Sequence, residues 1–236
     1  VFGIIKKYIT ALPLLCFIIV ACSPSSRTIS PAMTLTPTRF LALGDSYTIG
    51  EAVGADERWP VQLTAALRAR GVVIDDPTIV ARTGWTTGEL MAAIEAAGIV
   101  GEYDLVSLQI GVNNQYRGDA LDAYRAEFRA LLELATGFAG DDPTRVVVLS
   151  IPDWGVTPFA EGRDRAQIAG EIEAFNGVNR QESQAAGIHY VDVTPVSRNA
   201  AQQPALLAAD GLHPSAEMYR AWVGLLLPIV LGVLSP

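Results

Sequence analysis

From Arg39 onward, short apolar runs alternate with amphipathic stretches, and this alternation limits the possible folds more than any other feature of the chain. The apolar runs are FLAL (40–43), the segment 72–81 from VVI to TIVA, DLVSLQI (104–110), RVVVLSI (145–151) and IHYVDV (188–193). Between them lie RWPVQLTAALRAR (58–70), TTGELMAAIEAA (86–97), ALDAYRAEFRALLELA (120–135) and the stretch 164–186. In the third of these, Leu121, Tyr124, Phe128, Leu131, Leu132 and Ala135 recur at three- and four-residue steps, which puts them on one helical face. Strands that are apolar at nearly every position are expected where helices cover both faces of a parallel sheet. The repeated order predicts one α/β domain over 39–236, a three-layer α/β/α sandwich, and 236 residues are enough for one substantial core. The tail AWVGLLLPIVLGVL (221–234) is short for a membrane span, and Pro228 is expected to interrupt it, so it reads as a final helix packed on the sheet.

The other strongly apolar segment lies at the start. Residues 1–22, VFGIIKKYITALPLLCFIIVAC, have a positive beginning (Lys6, Lys7), an apolar stretch from Tyr8 to Ala21 and a small residue before Cys22. That is a secretory signal layout. Its ending, Ile19-Val20-Ala21-Cys22, resembles a bacterial lipobox, which implies a lipoprotein signal peptide over 1–21 and lipidation of Cys22. Residues 22–38 then form a flexible Ser/Thr/Pro tether. The expected location is the cell envelope: exported, and held to a membrane by the lipid.

Cleavage before Cys22 sharpens what charge excludes. Lys6 and Lys7 are the only lysines, so the mature chain carries 15 Arg against 25 Asp and Glu, a formal charge of −10. An acidic surface of that size argues against nucleic acid as a partner. Cys16 leaves with the signal and Cys22 is acylated, so no disulfide is expected. Without lysine, a Ser-Lys dyad, a phosphate-binding loop lysine and Schiff-base chemistry are all excluded. Two histidines are too few for a metal cluster, and no cofactor is expected.

The first apolar run stops at Gly44-Asp45-Ser46. In a parallel α/β sheet, chemistry collects beyond the carboxyl ends of the strands, and a serine there can be held out as a nucleophile. A serine hydroxyl needs a base. His189, entering the fifth apolar run with no acid placed to orient it, reads as a strand-edge or surface residue. His213, in ADGLHPSAEMY between Gly211 and Pro214, follows Asp210 by three residues. A turn through Gly211 can bring that carboxylate to Nδ1, which fixes the tautomer and leaves Nε2 to take the serine proton. Oxyanion donors are available from the backbone N–H of Ser46, from Gly84 just before a helix start marked by Thr86 and Glu89 at capping-box spacing, and from the side chain of Asn113 at the end of the third strand. Asp45 reads as a residue that shapes the turn.

Gly44-Asp45-Ser46, Gly84, Gly111-Val112-Asn113 and Asp210-Gly211-Leu212-His213, in that order, resemble the signature of the SGNH hydrolases, the GDSL esterase/lipase superfamily. The resemblance covers nearly all of 39–236. It implies a flavodoxin-like sheet of five parallel strands, Ser46 as nucleophile, His213 as base with Asp210 orienting it, and Ser46, Gly84 and Asn113 as the oxyanion hole. Tyr47 stands where the family often has Leu, and Asn114 where Asp commonly follows the Asn. The activity implied is hydrolysis of small-molecule esters through an acyl-enzyme on Ser46, on short acyl or acetyl esters because no long insertion offers a lid. Tyr47, Trp85 and Trp154 are candidate pocket residues, although the two tryptophans read equally well as packing. Lysophospholipids, acyl thioesters and acyl transfer to a sugar hydroxyl use the same site, and a non-catalytic glycan-binding envelope lipoprotein is the reading from another class.

Overall fold

The structure is a computed structural model and describes residues 1–4, 8 and 36–235. The proposed signal cleavage site, Cys22 and most of the tether lie outside the described residues. Leu35–Pro236 forms one compact unit.

Five strands, β1 (Phe40–Gly44), β2 (Thr78–Ala81), β3 (Leu105–Gln109), β4 (Val146–Leu149) and β5 (His189–Val191), pair in parallel in the order β2-β1-β3-β4-β5. The helices are α1 (Ser46–Ile49), α2 (Trp59–Arg68), α3 (Thr87–Ala97), α4 (Val112–Arg117), α5 (Leu121–Phe138), α6 (Arg165–Ala185), α7 (Thr194–Arg198) and α8 (Ala216–Val233). One layer is α2 against α8, and the other is α3, α5 and α6 side by side. This is the doubly wound sheet expected from the alternation. β1, β3 and β4 are buried at every position, as a sheet covered on both faces requires.

The stripe on α5 packs largely as its spacing predicts: Tyr124, Phe128, Leu131, Leu132 and Ala135 are buried, and Leu121, the first residue of the helix, is half-buried against the core. Burying each of the large ones stabilises the fold by about 1.5–3 kcal/mol. Glu182 on α6 is tied to Arg125 and Arg129 of α5, which locks the two helices in register.

Three local expectations change. The second run is a strand only over Thr78–Ala81; ahead of it, Ile74 makes one isolated bridge to Thr38, and Asp75-Asp76-Pro77 carries no ladder. Asn113 lies on α4, not on a strand end. Pro228 does not interrupt the last helix: α8 runs through it for 18 residues, with Pro228 on the exposed side and Met218, Tyr219, Trp222, Val223, Leu226 and Val230 buried. Packing of that stripe outweighs the cost of the missing N–H, about 3 kcal/mol. By length and composition α8 is apolar enough to cross a membrane, yet its inner stripe belongs to the core.

β1 and β3 are neighbours whose chains leave on opposite faces, toward α2 and α5. The carboxyl ends of these two strands flank the crevice that such a reversal opens. Gly44 pairs with both Ala81 and Gln109. Ser46 and Gly111 therefore each lie two residues beyond one paired rung, and Gly84 lies three beyond.

Candidate active site

β1 must end in glycine because a Cβ at Gly44 would collide with the Thr48 hydroxyl and the Gln109 carbonyl of β3. Asp45 then caps α1, its Oδ1 accepting the Tyr47 N–H at 3.0 Å. The shaping role expected of Asp45 is thus that of a buried N-cap, and burial pushes its carboxyl up to about 7 despite the backbone bonds that pull it down. Ser46 is the first residue of α1, where the backbone N–H has no partner within the helix.

His213 sits in a turn in which the Ala208 N–H donates to its carbonyl at 2.8 Å and Gly211 takes φ +67°. Asp210 folds back on that turn. Its Oδ1 accepts the N–H groups of Leu212 and His213, each at 3.0 Å, and its Oδ2 lies 2.6 Å from His213 Nδ1. Burial raises the Asp210 pKa, but the imidazole and the two backbone donors outweigh it and hold the carboxyl below its ordinary value. The ring of His213 is buried and faces that of Tyr47 at 5.4 Å. Because Nδ1 is taken, Nε2 is the nitrogen free for chemistry.

Ser46 and His213 line one cavity of about 110 Å³ together with Asn113. Among the described residues no hydrogen bond joins the Ser46 hydroxyl to His213. Tyr47 and Trp154 also line the cavity, and Tyr116 and Phe159 complete its aromatic wall. Trp85 does not line it; it packs against the core. His189 opens edge strand β5, is exposed, and does not line the cavity.

Gly84 stands in the loop between β2 and α3 with φ +87°, and a Cβ there would meet nothing, so the glycine answers a backbone need rather than a steric one. Its N–H has no protein acceptor among the described residues. Gly84 does not line the cavity; Asn113, which does, donates from Nδ2 to the carbonyl of the next residue, Trp85, at 2.9 Å. The helix start marked by Thr86 and Glu89 forms the expected capping box on α3.

Two residues that the sequence did not point to as loop supports now stand out. Arg117, one helical turn after Asn113, donates from Nη2 to the Gly84 carbonyl at 2.7 Å and pairs with Glu89. Asn114 accepts from the Thr87 N–H at 3.1 Å and donates to the Thr87 hydroxyl at 2.8 Å and to Asp119 at 3.0 Å. The departure at position 114 therefore bears on α3, while Asn113 and Arg117 grip the loop. An i, i+4 pair on α4 was the available signal, but it required reading VNNQYR as helix.

A profile of the GDSL-like lipase/acylhydrolase family matches residues 42–221. No curated protein matches the sequence. In structure the chain is similar to TesA, with TM-score 0.65 at 19% identity over 84% of this chain and 100% of that one. It is similar to Axe2, an acetylxylan esterase from Geobacillus stearothermophilus, with TM-score 0.64 at 21% identity over 82% and 94%. It is also similar to the psychrotrophic esterase EstA from Pseudoalteromonas sp., with TM-score 0.64 at 17% identity over 83% and 97%. At these identities the structural likeness speaks for the fold, and the profile, spanning most of the domain, speaks for descent. The chain belongs to the GDSL-like lipase/acylhydrolase family, the SGNH hydrolases, and is an ester-hydrolysing enzyme.

Proposed function

We propose that the enzyme is a serine esterase acting on short acyl esters, acetyl esters above all, with Ser46 as nucleophile, His213 as base and Asp210 as the group that orients it. Ser46 Oγ attacks the ester carbonyl as its proton passes to Nε2 of His213. Ionised Asp210 holds the Nδ1–H and stabilises the imidazolium that results. The carbonyl oxygen, now anionic, is received by the N–H groups of Ser46 and Gly84 and by the second N–H of Asn113. Collapse expels the alcohol, which takes the proton from Nε2 and leaves acyl-Ser46. Water attacks in the same manner, its proton passing to His213 and on to Ser46 as the carboxylic acid leaves.

The observation that carries this reading is the Asp210–His213 pair, 2.6 Å apart, opening with Ser46 onto one small cavity. Its size supports the acyl assignment: about 110 Å³ is well below the roughly 300 Å³ at which drug-sized pockets begin. The acetylxylan esterase among the similar structures, an enzyme named for an acetyl ester, supports the same choice. The test is the initial rate on p-nitrophenyl esters from acetate to long acyl chains, with Ser46→Ala as control. Serine-dependent turnover that falls steeply as the chain lengthens is expected; turnover that survives Ser46→Ala overturns the assignment.

Lipid attachment at Cys22 and a place in the cell envelope belong to the same proposal and rest on the sequence of residues 1–22. Incorporation of labelled palmitate that disappears in Cys22→Ala is expected.

A further inference from the structure

We propose that a polar groove beside the catalytic cavity is the leaving-group subsite, and that the alcohol it receives is a neutral polyhydroxylated ring, a saccharide. The inference rests on the reading above, in which the small cavity takes the acyl half.

The two spaces share walls. Tyr116 and Trp154 line both the catalytic cavity and a second depression of about 340 Å³. An ester whose carbonyl lies at Ser46 and whose acyl group fills the cavity must send its alcohol outward, and across Tyr116 the next space is this groove. Tyr116 and Phe159 are 46% and 44% exposed and meet Trp154 edge-on.

The groove is preorganised. Trp154 Nε1 donates to Gln115 Oε1 at 2.9 Å, Gln115 Nε2 donates to Glu171 at 2.7 Å, and Gln167 Nε2 donates to the other Glu171 oxygen at 2.8 Å. The relay runs from the wall of the catalytic cavity to the groove's far side. Arg163 lies over three rings, its guanidinium 5.0 Å from the centroid of Tyr116, 5.4 Å from Trp154 and 5.5 Å from Phe159, with one N–H on the Tyr116 hydroxyl at 2.9 Å. Such stacking fixes the guanidinium plane. Arg163 is exposed and lines the groove, and among the described residues it has no carboxylate partner, its side-chain hydrogen bond going to the Tyr116 hydroxyl.

Charge and valence then select the ligand. Arg117 and Arg163 line the groove together with Asp164 and Glu171, and Arg117 is already paired with Glu89, so the groove carries no surplus of positive charge. A phosphate or carboxylate on the alcohol would meet two carboxylates as well as two guanidinium groups. An alkyl alcohol would cover those groups and bond none of them, which is costly. A sugar offers what is left: hydroxyls that donate to the carboxylates and accept from Arg163, and a C–H face for the exposed rings.

The experiment compares acetates of three alcohols: an acetylated methyl glucoside, cyclohexyl acetate, which has the ring but no hydroxyls, and p-nitrophenyl acetate. The wild-type enzyme should favour the sugar ester over cyclohexyl acetate in kcat/KM by at least about tenfold, the worth of one good charge-assisted bond. Arg163→Ala and, separately, Gln167→Ala should raise KM for the sugar ester by about tenfold and so reduce that preference. Binding of methyl glucoside to the Ser46→Ala protein, weakened by Arg163→Ala, provides a readout independent of turnover. If Ser46-dependent turnover of p-nitrophenyl acetate is normal but the preference is absent, or Arg163→Ala depresses all three esters equally, the saccharide subsite is wrong and the esterase stands. If no ester is turned over in a Ser46-dependent way, the esterase reading itself falls.

Discussion

The Asn113 side-chain amide donates to the Trp85 carbonyl over 2.9 Å, so one of its two N–H bonds is committed to the loop that carries Gly84. The same side chain lines the cavity with Ser46. One residue thereby sets the position of one proposed oxyanion donor and supplies another. Asn113→Ala should lower kcat on p-nitrophenyl acetate by about 10²–10³ with little change in KM, because the oxyanion exists only after attack. Asn113→Asp, which replaces the donor by an acceptor facing a carbonyl, should lose at least as much. A kcat unchanged in both variants would remove Asn113 from the hole.

Ser46, His213 and Asp210 should fail as a unit. Ser46→Ala is expected to cost about 10⁶ in kcat, and adding His213→Ala to it should cost almost nothing more. Asp210→Asn is expected to cost about 10⁴, since an amide turned to donate forces the wrong imidazole tautomer. The hydrogen bonds that hold Asp210 below its ordinary value keep it ionised in mildly acidic solution, so its own protonation lies beneath the activity profile near neutrality. Losses that simply multiply across the double variant would mean the residues act separately. Labelling of Ser46 by a fluorophosphonate, abolished in Ser46→Ala, checks the nucleophile directly.

Much of this architecture can be read from the chain because the informative segments are long or chemically unusual. β1, β3 and β4 are continuous apolar runs, and α5 spans five turns of unbroken periodicity, so hydrophobic burial alone fixes their type. Asp210 and His213 are legible because a three-residue spacing through Gly211 permits one turn geometry. The losses fall where burial gives no period. Gly111 leaves β3 with φ +120°, and a side chain there would collide with Tyr124, so the strand breaks and α4 begins within two residues. Six residues, VNNQYR, are too few to show a helical stripe. With α4 unseen, Arg117 had no reason to be placed beside Gly84. Trp85 was open to a pocket or a packing role, and its neighbour Gly84 explains the outcome: the loop turns its backbone toward Asn113 and its indole toward the core.

Arg117 holds the Gly84 carbonyl at 2.7 Å while pairing with Glu89 at 3.2 Å, so it anchors the residue that carries the proposed donor without touching the reacting atoms. It is a positioning residue for the proposed donor. Arg117→Ala should lower kcat by about ten- to a hundredfold through misplacement of that donor, with KM for p-nitrophenyl acetate nearly constant. Arg117→Lys keeps the charge but loses the fork that serves two acceptors at once, and should recover only part of the loss. Added guanidinium ion at millimolar concentration should partly restore Arg117→Ala and leave Asn113→Ala unchanged. A rise in KM with kcat intact would instead place Arg117 in substrate binding.

Asp45 is the acid whose burial makes stability depend on pH. In the unfolded chain its carboxyl titrates near 3.8, and in the fold burial pushes it up to about 7. Between those values the folded protein retains a proton that the unfolded chain has released. Its contribution to stability is therefore fully present below about pH 4, declines as pH rises toward 7, and is flat beyond. The change is on the order of a few kcal/mol, since each unit is worth about 1.4 kcal/mol. Asp45→Asn removes the titration and keeps a side-chain oxygen to accept the Tyr47 N–H. Melting temperatures measured from pH 4 to 8 should fall with pH more steeply for the wild type than for Asp45→Asn, so that the variant gains on the wild type toward neutrality. Parallel profiles would mean that Asp45 is already ionised in the fold across that range, and that some further donor reaches its second oxygen.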